Sequence, residues 1–357
     1  MADVKTLLAD PRRRNLAVLA AIALASILLA FLGLEEQAAE VAPRYAPREF
    51  FPRLAAQIHD AARIHVVSRK FGAFDAVFKP IKGWVLPEKY DYPASFAEVN
   101  KTLVGLAALE TIEPKTARAD WLHYIDLDAP EKGGAGVEIA VSDEHGRVLA
   151  ALIAGKSEDI ASASGAVGLF VRRPGDSQSW LVRSELEPRS DPNDWIDKNV
   201  VDIDRSRIQE TVVDQPDGQS YKVHRDKPGD ADFKLVAIPK GREMAEQAAP
   251  DSVAAAIVGF TFDDVKPAKN VDFSDAYRIV TKTFDGLSVT VDVVHQGTEY
   301  WAELGAMSLL NKPEVGKQAR TIGMRVSGWA YKLPDYKGAQ FMTSLESLLK
   351  PKGKAKK

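Results

Sequence analysis

The side chains whose types and spacing could do chemistry are few and scattered. None of the 357 residues is a cysteine, which removes disulfides, zinc-thiolate sites, iron–sulfur clusters and thiol nucleophiles together. The six histidines, His59, His65, His123, His145, His224 and His295, include no close pair at metal-ligand spacing and no His-Glu-x-x-His. Asp126 and Asp128 form an Asp-x-Asp, but the glycine and the twelfth-position glutamate of a calcium loop are missing. Ala154-Gly155-Lys156-Ser157 has the ending of a phosphate-binding loop. The glycine required five positions earlier is Ala150, however, and the residues before Gly155 read as the strand itself. Gly-x-Ser-x-Gly is absent, and Ser162 to Ser164 lie in a small-residue loop. Gly133-Gly134-Ala135-Gly136 reads as a flexible loop. The expectation is a chain without catalytic, cofactor or metal-binding residues.

The composition, 45% hydrophobic and 27% charged, is that of a folded globular protein. Net charge is −3, but it is unevenly placed. Residues 1–14 carry +2 and the tail from Lys350 to Lys357 carries +5, which leaves −10 on residues 15–349. A body of that sign argues against binding a phosphate backbone, so no nucleic-acid partner is expected.

The strongest local signal is the uncharged 19-residue run from Leu16 to Leu34, in which Ser26 is the only hydroxyl. As a helix it spans roughly 28 Å, close to the hydrocarbon thickness of a bilayer. Leu16, Leu19, Ile22, Leu24, Ile27, Leu28, Leu29, Phe31, Leu32 and Leu34 are its apolar anchor residues. Arg12, Arg13 and Arg14 precede the run; Glu35, Glu36 and Glu40 follow it. The positive-inside rule places the N-terminus in the cytoplasm and the bulk of the chain outside. Cleavage after Ala39 or Ala42 is disfavoured, because Gln37 and Glu40 stand where a small residue is wanted.

The body alternates two kinds of unit. Pro47 to Ala62 reads as a helix. Ile64 to Val67, Ala76 to Phe78 and Trp84 to Leu86 read as strands, and a helix then starts at Ser95 with Glu98 three residues on, a capping box. Val137 to Val141 and Val148 to Ile153 form a hairpin turning at Glu144-His145-Gly146, and a further hairpin turns at Pro174-Gly175-Asp176. The plan then repeats. Arg207-Ile208 restates Arg63-Ile64 at an offset of 144, and the hairpin from Tyr277 to Val294 restates 137–153 at an offset of 140. Asp251 reads as the cap of a second helix. Gly328-Trp329-Ala330-Tyr331 echoes Gly83-Trp84-Val85-Leu86 as a partial third copy. The linker Glu187 to Asp204 reads as a packed connection. Trp84, Trp180, Trp301 and Trp329 fall on strands and read as core, whereas Trp121 and Trp195 lie nearer loops, where they suit a partner surface.

The ordered set Gly83-Trp84-Val85-Leu86, Tyr92-Pro93-Ala94, Leu106-Ala107-Ala108-Leu109, Glu113-Pro114-Lys115-Thr116-Ala117-Arg118, Leu152-Ile153-Ala154-Gly155-Lys156, Val171-Arg172-Arg173-Pro174-Gly175, Gln178-Ser179-Trp180-Leu181 and Asp194-Trp195-Ile196-Asp197-Lys198 resembles the bacterial domain-of-unknown-function 4340 family. The likeness covers roughly residues 16–345. It implies a single-pass inner-membrane protein facing the periplasm, an accessory of a gliding-type ABC export system. Its partners would be the permease, the ATPase and a second anchored auxiliary subunit. The resemblance supplies no catalytic residues.

The sequence thus predicts an α+β protein: a cytoplasmic N-terminus (1–15), a transmembrane helix (16–34), α+β repeats over 47–190 and 200–310, a partial third unit over 320–349 and a basic tail over 350–357. The function expected is non-enzymatic, guiding or scaffolding partners or substrate outside the permease. The alternative is a periplasmic binding module for a lipid, glycan or polymer, with a pocket between repeats.

Overall fold

The computed structural model describes residues 46–160 and 167–351, together with Ser26. Apart from Ser26 the predicted transmembrane helix lies outside the described residues, as do all of its anchor residues and the flanking Arg12, Arg13 and Arg14. No helix among the described residues is long and apolar enough to cross a membrane.

The described chain is mainly β, which corrects the α+β expectation. The first sheet contains β1 (Arg48–Glu49), β2 (Ala61–Ser68), β3 (Gly72–Lys79), β4 (Gly83–Leu86), β5 (Tyr92–Pro93), β6 (Glu110–Pro114), β7 (Val137–Asp143), β8 (Val148–Glu158), β9 (Val167–Arg172) and β10 (Ser179–Ser184). Its order is β1-β6-β10-β9-β8-β7-β2-β3-β4-β5. The second contains β11 (Ile208–Asp214), β12 (Ser220–His224), β13 (Lys234–Val236), β14 (Asp264–Pro267), β15 (Tyr277–Thr283), β16 (Leu287–Gln296), β17 (Glu299–Ser308) and β18 (Trp329–Leu333). Its order is β13-β12-β11-β15-β16-β17-β18-β14. Every pairing is antiparallel.

From residue 46 on, the helices of the described chain are α1 (Leu54–Gln57), α2 (Phe96–Ala107), α3 (Ala249–Ala254), α4 (Pro313–Val326), α5 (Asp335–Phe341) and α6 (Leu345–Leu348). The helix predicted over Pro47 to Ala62 is only α1 and a 3-10 turn, because β1 pairs with β6 and the Phe50 amide donates to the Leu109 carbonyl at 2.8 Å. Sheet pairing there satisfies the backbone that a helix would otherwise have to satisfy alone. Ser95 does cap α2, its hydroxyl accepting the Glu98 amide at 3.3 Å, and Val99, Leu103 and Leu106 form the buried face. Asp251 is not a cap. It lies inside α3, and its carboxylate takes Arg205 Nη2 at 2.9 Å and the Phe233 amide at 2.9 Å.

Read from opposite ends, the two sheets run through the same succession of elements. β2, β7, β8, β9 and β10 correspond to β11, β15, β16, β17 and β18. A shared irregularity fixes the register. The β2–β7 ladder slips between Ala61 and Arg63, opposite Asp143 and Ser142; the β11–β15 ladder slips between Ile208 and Glu210, opposite Thr283 and Lys282. The same bulge at the same place in both ladders aligns Ala61 with Ile208, so the offset of this strand is 147 rather than the 144 suggested by the Arg-Ile dipeptides. Residues 320–349 are not a third copy. β18 pairs with β17 on one side and β14 on the other, which makes it the counterpart of β10 in the second sheet.

One hydrophobic core runs through both halves. Tyr92 of β5 is buried, its ring set edge-on to Trp329 at 4.9 Å, Phe262 at 6.2 Å and Tyr331 at 6.3 Å. The Tyr92 hydroxyl donates to the Asp197 carbonyl at 3.0 Å. Burial, with Tyr331 beside it, pushes the Tyr92 phenol well above its ordinary pKa. Lys89 Nζ meets Asp264 Oδ1 across the same seam at 2.7 Å. The linker is packed into this junction: Trp195 is fully buried against Phe74, and Ile196 bridges Ala94, extending the β5 edge. Trp195 is therefore core and not partner surface.

Two outcomes are expected. Tyr92→Ala removes a buried aromatic at the junction and should lower unfolding free energy by about 3–5 kcal/mol in urea titrations. Asp91 sits within 2.7 Å of Lys79 Nζ and 3.3 Å of Lys82 Nζ, and these hydrogen bonds hold its carboxyl below the usual range. Its stabilising contribution is present above the ordinary carboxylate pKa and is lost as pH falls through the lower folded value. Asp91→Asn should cost about 0.5–1 kcal/mol at neutral pH, with the difference closing in acid.

Candidate interaction surfaces

The segment that resembled a phosphate-binding loop is the interior of β8. Gly155 is a glycine because a Cβ there would lie 2.1 Å from the Ile125 carbonyl oxygen and 3.0 Å from Leu127 Cδ2. The β8–β9 ladder slips between Ala154 and Ser157, and the bulge aims Lys156 Nζ at the Tyr124 carbonyl, 3.0 Å away, with Asp126 Oδ2 at 3.9 Å. What Gly155 and Lys156 hold is therefore backbone of the same chain.

That backbone belongs to the connection over residues 115–136, where Ala119–Ile125 form an extended 3-10 segment. Arg172, buried on β9, donates from Nε to the Leu127 carbonyl at 2.6 Å and from Nη1 to the Asp176 carbonyl at 3.2 Å. Burial lowers the guanidinium pKa, but an arginine so placed stays charged. Gly134 and Gly136 stand where a Cβ would meet the Asp128 carbonyl oxygen at 2.4 and 2.8 Å. The glycine cluster expected to be a flexible loop is thus a close-packed contact. Beneath it Leu122, Leu127, Ile153, Phe170 and Leu181 form a small separate core.

Fixed from below, the segment carries large side chains outward. Trp121 is 48% exposed and Tyr124 65%. Arg118 lies over the Trp121 ring at 4.7 Å and is held there by two bonds to Asp120, at 3.2 and 2.7 Å. The His123 ring lies tilted at 40° against Tyr124, with ring centroids 3.9 Å apart. The matching connection of the second half, residues 268–276, is much shorter.

A second surface lies beside α4, a helix the sequence reading missed. Val315, Ala319, Ile322 and Val326 bury one face of α4 against the second sheet. The open side leaves a groove of about 690 Å³ between α4 and β17, lined by Ala306, Met307, Gly316, Arg320, Gly323 and Met324 among others.

A third, more polar cavity of about 400 Å³ gathers His59, Asp60, Asp143, Glu144, His145 and Arg147. Its acids have local partners. Asp143 accepts the amides of His145 and Arg147 at 3.0 and 2.8 Å and caps the β7–β8 turn; His59 faces Asp60 at 3.2 Å and His145 faces Glu144 at 3.6 Å. The other histidines lie apart: His65 bonds Asp75 at 2.9 Å, His224 faces Asp226 at 3.8 Å and His295 stacks on Tyr300. Among the described residues no group of three metal-ligating side chains comes together. Asp126 is a left-handed turn residue and the Asp128 backbone packs on glycine. Ser162 to Ser164 lie outside the described residues.

The molecule is thus a mainly β protein of two matched antiparallel sheets fused through one core. It belongs to the domain of unknown function family DUF4340, whose family model matches residues 84–279, from β4 into β15. No curated protein and no solved structure matches the chain.

Gly155→Ala should force the Ile125 carbonyl away and destabilise the first half by about 1–3 kcal/mol, read by urea unfolding. Exposure of Trp121 should change in parallel, read by its fluorescence.

Proposed function

We propose that the chain is a non-enzymatic accessory subunit that holds a partner protein beside an ABC-type transport complex at the bacterial inner membrane. The observation carrying this reading is the projecting segment with Trp121 and Tyr124. Its backbone is fixed by Gly155, Lys156 and Arg172, yet its largest side chains face solvent. Aromatic residues and arginine are the side chains that dominate protein interfaces, and a segment already ordered loses little entropy on binding.

Membrane attachment in this reading rests on the sequence of residues 16–34. The arginines before that run and the glutamates after it support a periplasmic position for the two sheets. The permease, the ATPase and a second anchored auxiliary subunit are the partners the family resemblance suggests. The alternative of a lipid or glycan pocket between the halves has less support, since the seam there is occupied by Tyr92, Phe262, Trp329 and Tyr331.

Affinity purification of the full-length chain from membranes in mild detergent tests the proposal. ATPase and permease should co-purify with the wild type, and a Trp121→Ala/Tyr124→Ala variant of unchanged thermal stability should recover at least tenfold less of them. If neither component accompanies the wild-type chain, the reading is wrong.

A further inference from the structure

We propose that the groove between α4 and β17 is a docking site for an acidic, amphipathic helix of a partner protein. The groove is apolar on its floor and walls, with Ala306, Met307, Ala319 and Met324 lining it, and Met307 and Met324 are 59% and 76% exposed. Flexible thioether side chains at an open surface suit the packing of another helix's apolar face.

Two further observations identify the occupant. The groove is cationic at its rim: Lys317 and Arg320 line it, and neither has an ion-pair partner among the described residues. Lys312 stands exposed at the start of the same helix, also without such a partner. This cationic strip sits on a body whose residues 15–349 carry −10, so its complement is a segment bearing Asp or Glu beside its apolar stripe. The second observation concerns Gly316 and Gly323, both inside α4. A glycine in a helix interior is unfavourable relative to alanine. Among the described residues a Cβ at Gly323 would meet nothing within 4 Å, and one at Gly316 only the tip of Arg320 at 3.5 Å, so packing among them does not call for either glycine. Both line the groove, where the missing side chains let a second helix backbone come close. A concave trough takes a helix better than a bilayer surface; beside it β17 is paired by β16 at Ala306 to Ser308, while β18 pairs only Tyr300 to Glu303.

This surface is distinct from the Trp121 segment, so either proposal can fail without the other. Because the chain has no cysteine, Thr321→Cys in the full-length protein in mild detergent gives a single labelling position within the groove for an environment-sensitive fluorophore. Two synthetic helical peptides with the same leucine stripe, one flanked by glutamates and one by lysines, are titrated against it. The acidic peptide should produce a saturable blue shift, and the basic peptide should bind at least tenfold more weakly. Lys317→Glu/Arg320→Glu should invert that preference. Gly323→Leu, whose side chain enters open space, should leave the melting temperature within a few degrees of wild type while weakening the acidic peptide at least tenfold. Equal binding of the two peptides, no binding of the acidic one, or a response only to a fatty acid or to phosphatidylglycerol vesicles that the charge reversal abolishes would each overturn the proposal.

Discussion

The packing of one tyrosine ring joins the two halves of this protein. Tyr92 belongs to the outermost strand of the first sheet, yet its ring lies among Trp329, Phe262 and Tyr331 of the second half and its hydroxyl ends on the linker. Edge-to-face contacts of this kind add to area burial, and the hydroxyl needs a partner once water is excluded. Asp197 supplies it. Because the seam is aromatic and the linker is tied to it at Asp197, the two sheets share a core where two similar modules could have been strung on a tether.

The likeness between the two sheets lies in strand order and ladder register more than in residue identity. The bulge at Ala61/Arg63 and its partner at Ile208/Glu210 survive where the side chains around them differ. The halves diverge in their connections. The first enlarges the passage from β6 to β7 into the aromatic segment, and the second replaces the tight β9–β10 hairpin with α4 between β17 and β18. Each elaboration creates one of the two surfaces described. Loops vary in this way because the sheets beneath them supply the stability.

How much of this was legible depends on the range of the forces involved. The hairpins over 137–153 and 277–294 could be read because alternation and a Gly at the turn are local signals, and Gly146 and Gly286 do adopt positive φ. The Ser95 cap was legible for the same reason. The segment over 115–136 was not, since what orders it is contact with Gly155 and Arg172, distant in sequence. Gly155-Lys156 was conspicuous, but its meaning depended on the Ile125 carbonyl lying against it. Trp195 looked like surface because it lies near a loop, whereas its ring is buried. α4 left a readable trace in Pro313 at its first turn and in Val315, Ala319, Ile322 and Val326 at helical spacing. Gly316 and Gly323 and a low average hydrophobicity obscured it. Of the outward-facing residues, Trp121 was identified from the sequence; Tyr124, Met307 and Met324 were not.

The shared core also bears on the spacing of the two proposed surfaces. With a flexible tether, two guests bound at opposite halves would wander relative to one another, and the second capture would gain only what a loose leash permits. A single stiff body sets their separation and orientation in advance. Once one guest is seated, the other's encounter becomes intramolecular, at an effective concentration on the order of millimolar when the geometry fits and near zero when it does not. Were both proposed surfaces occupied, the aromatic seam at Tyr92 would make the molecule a ruler, able to reject a pair of guests whose dimensions are wrong even if each alone fits its place.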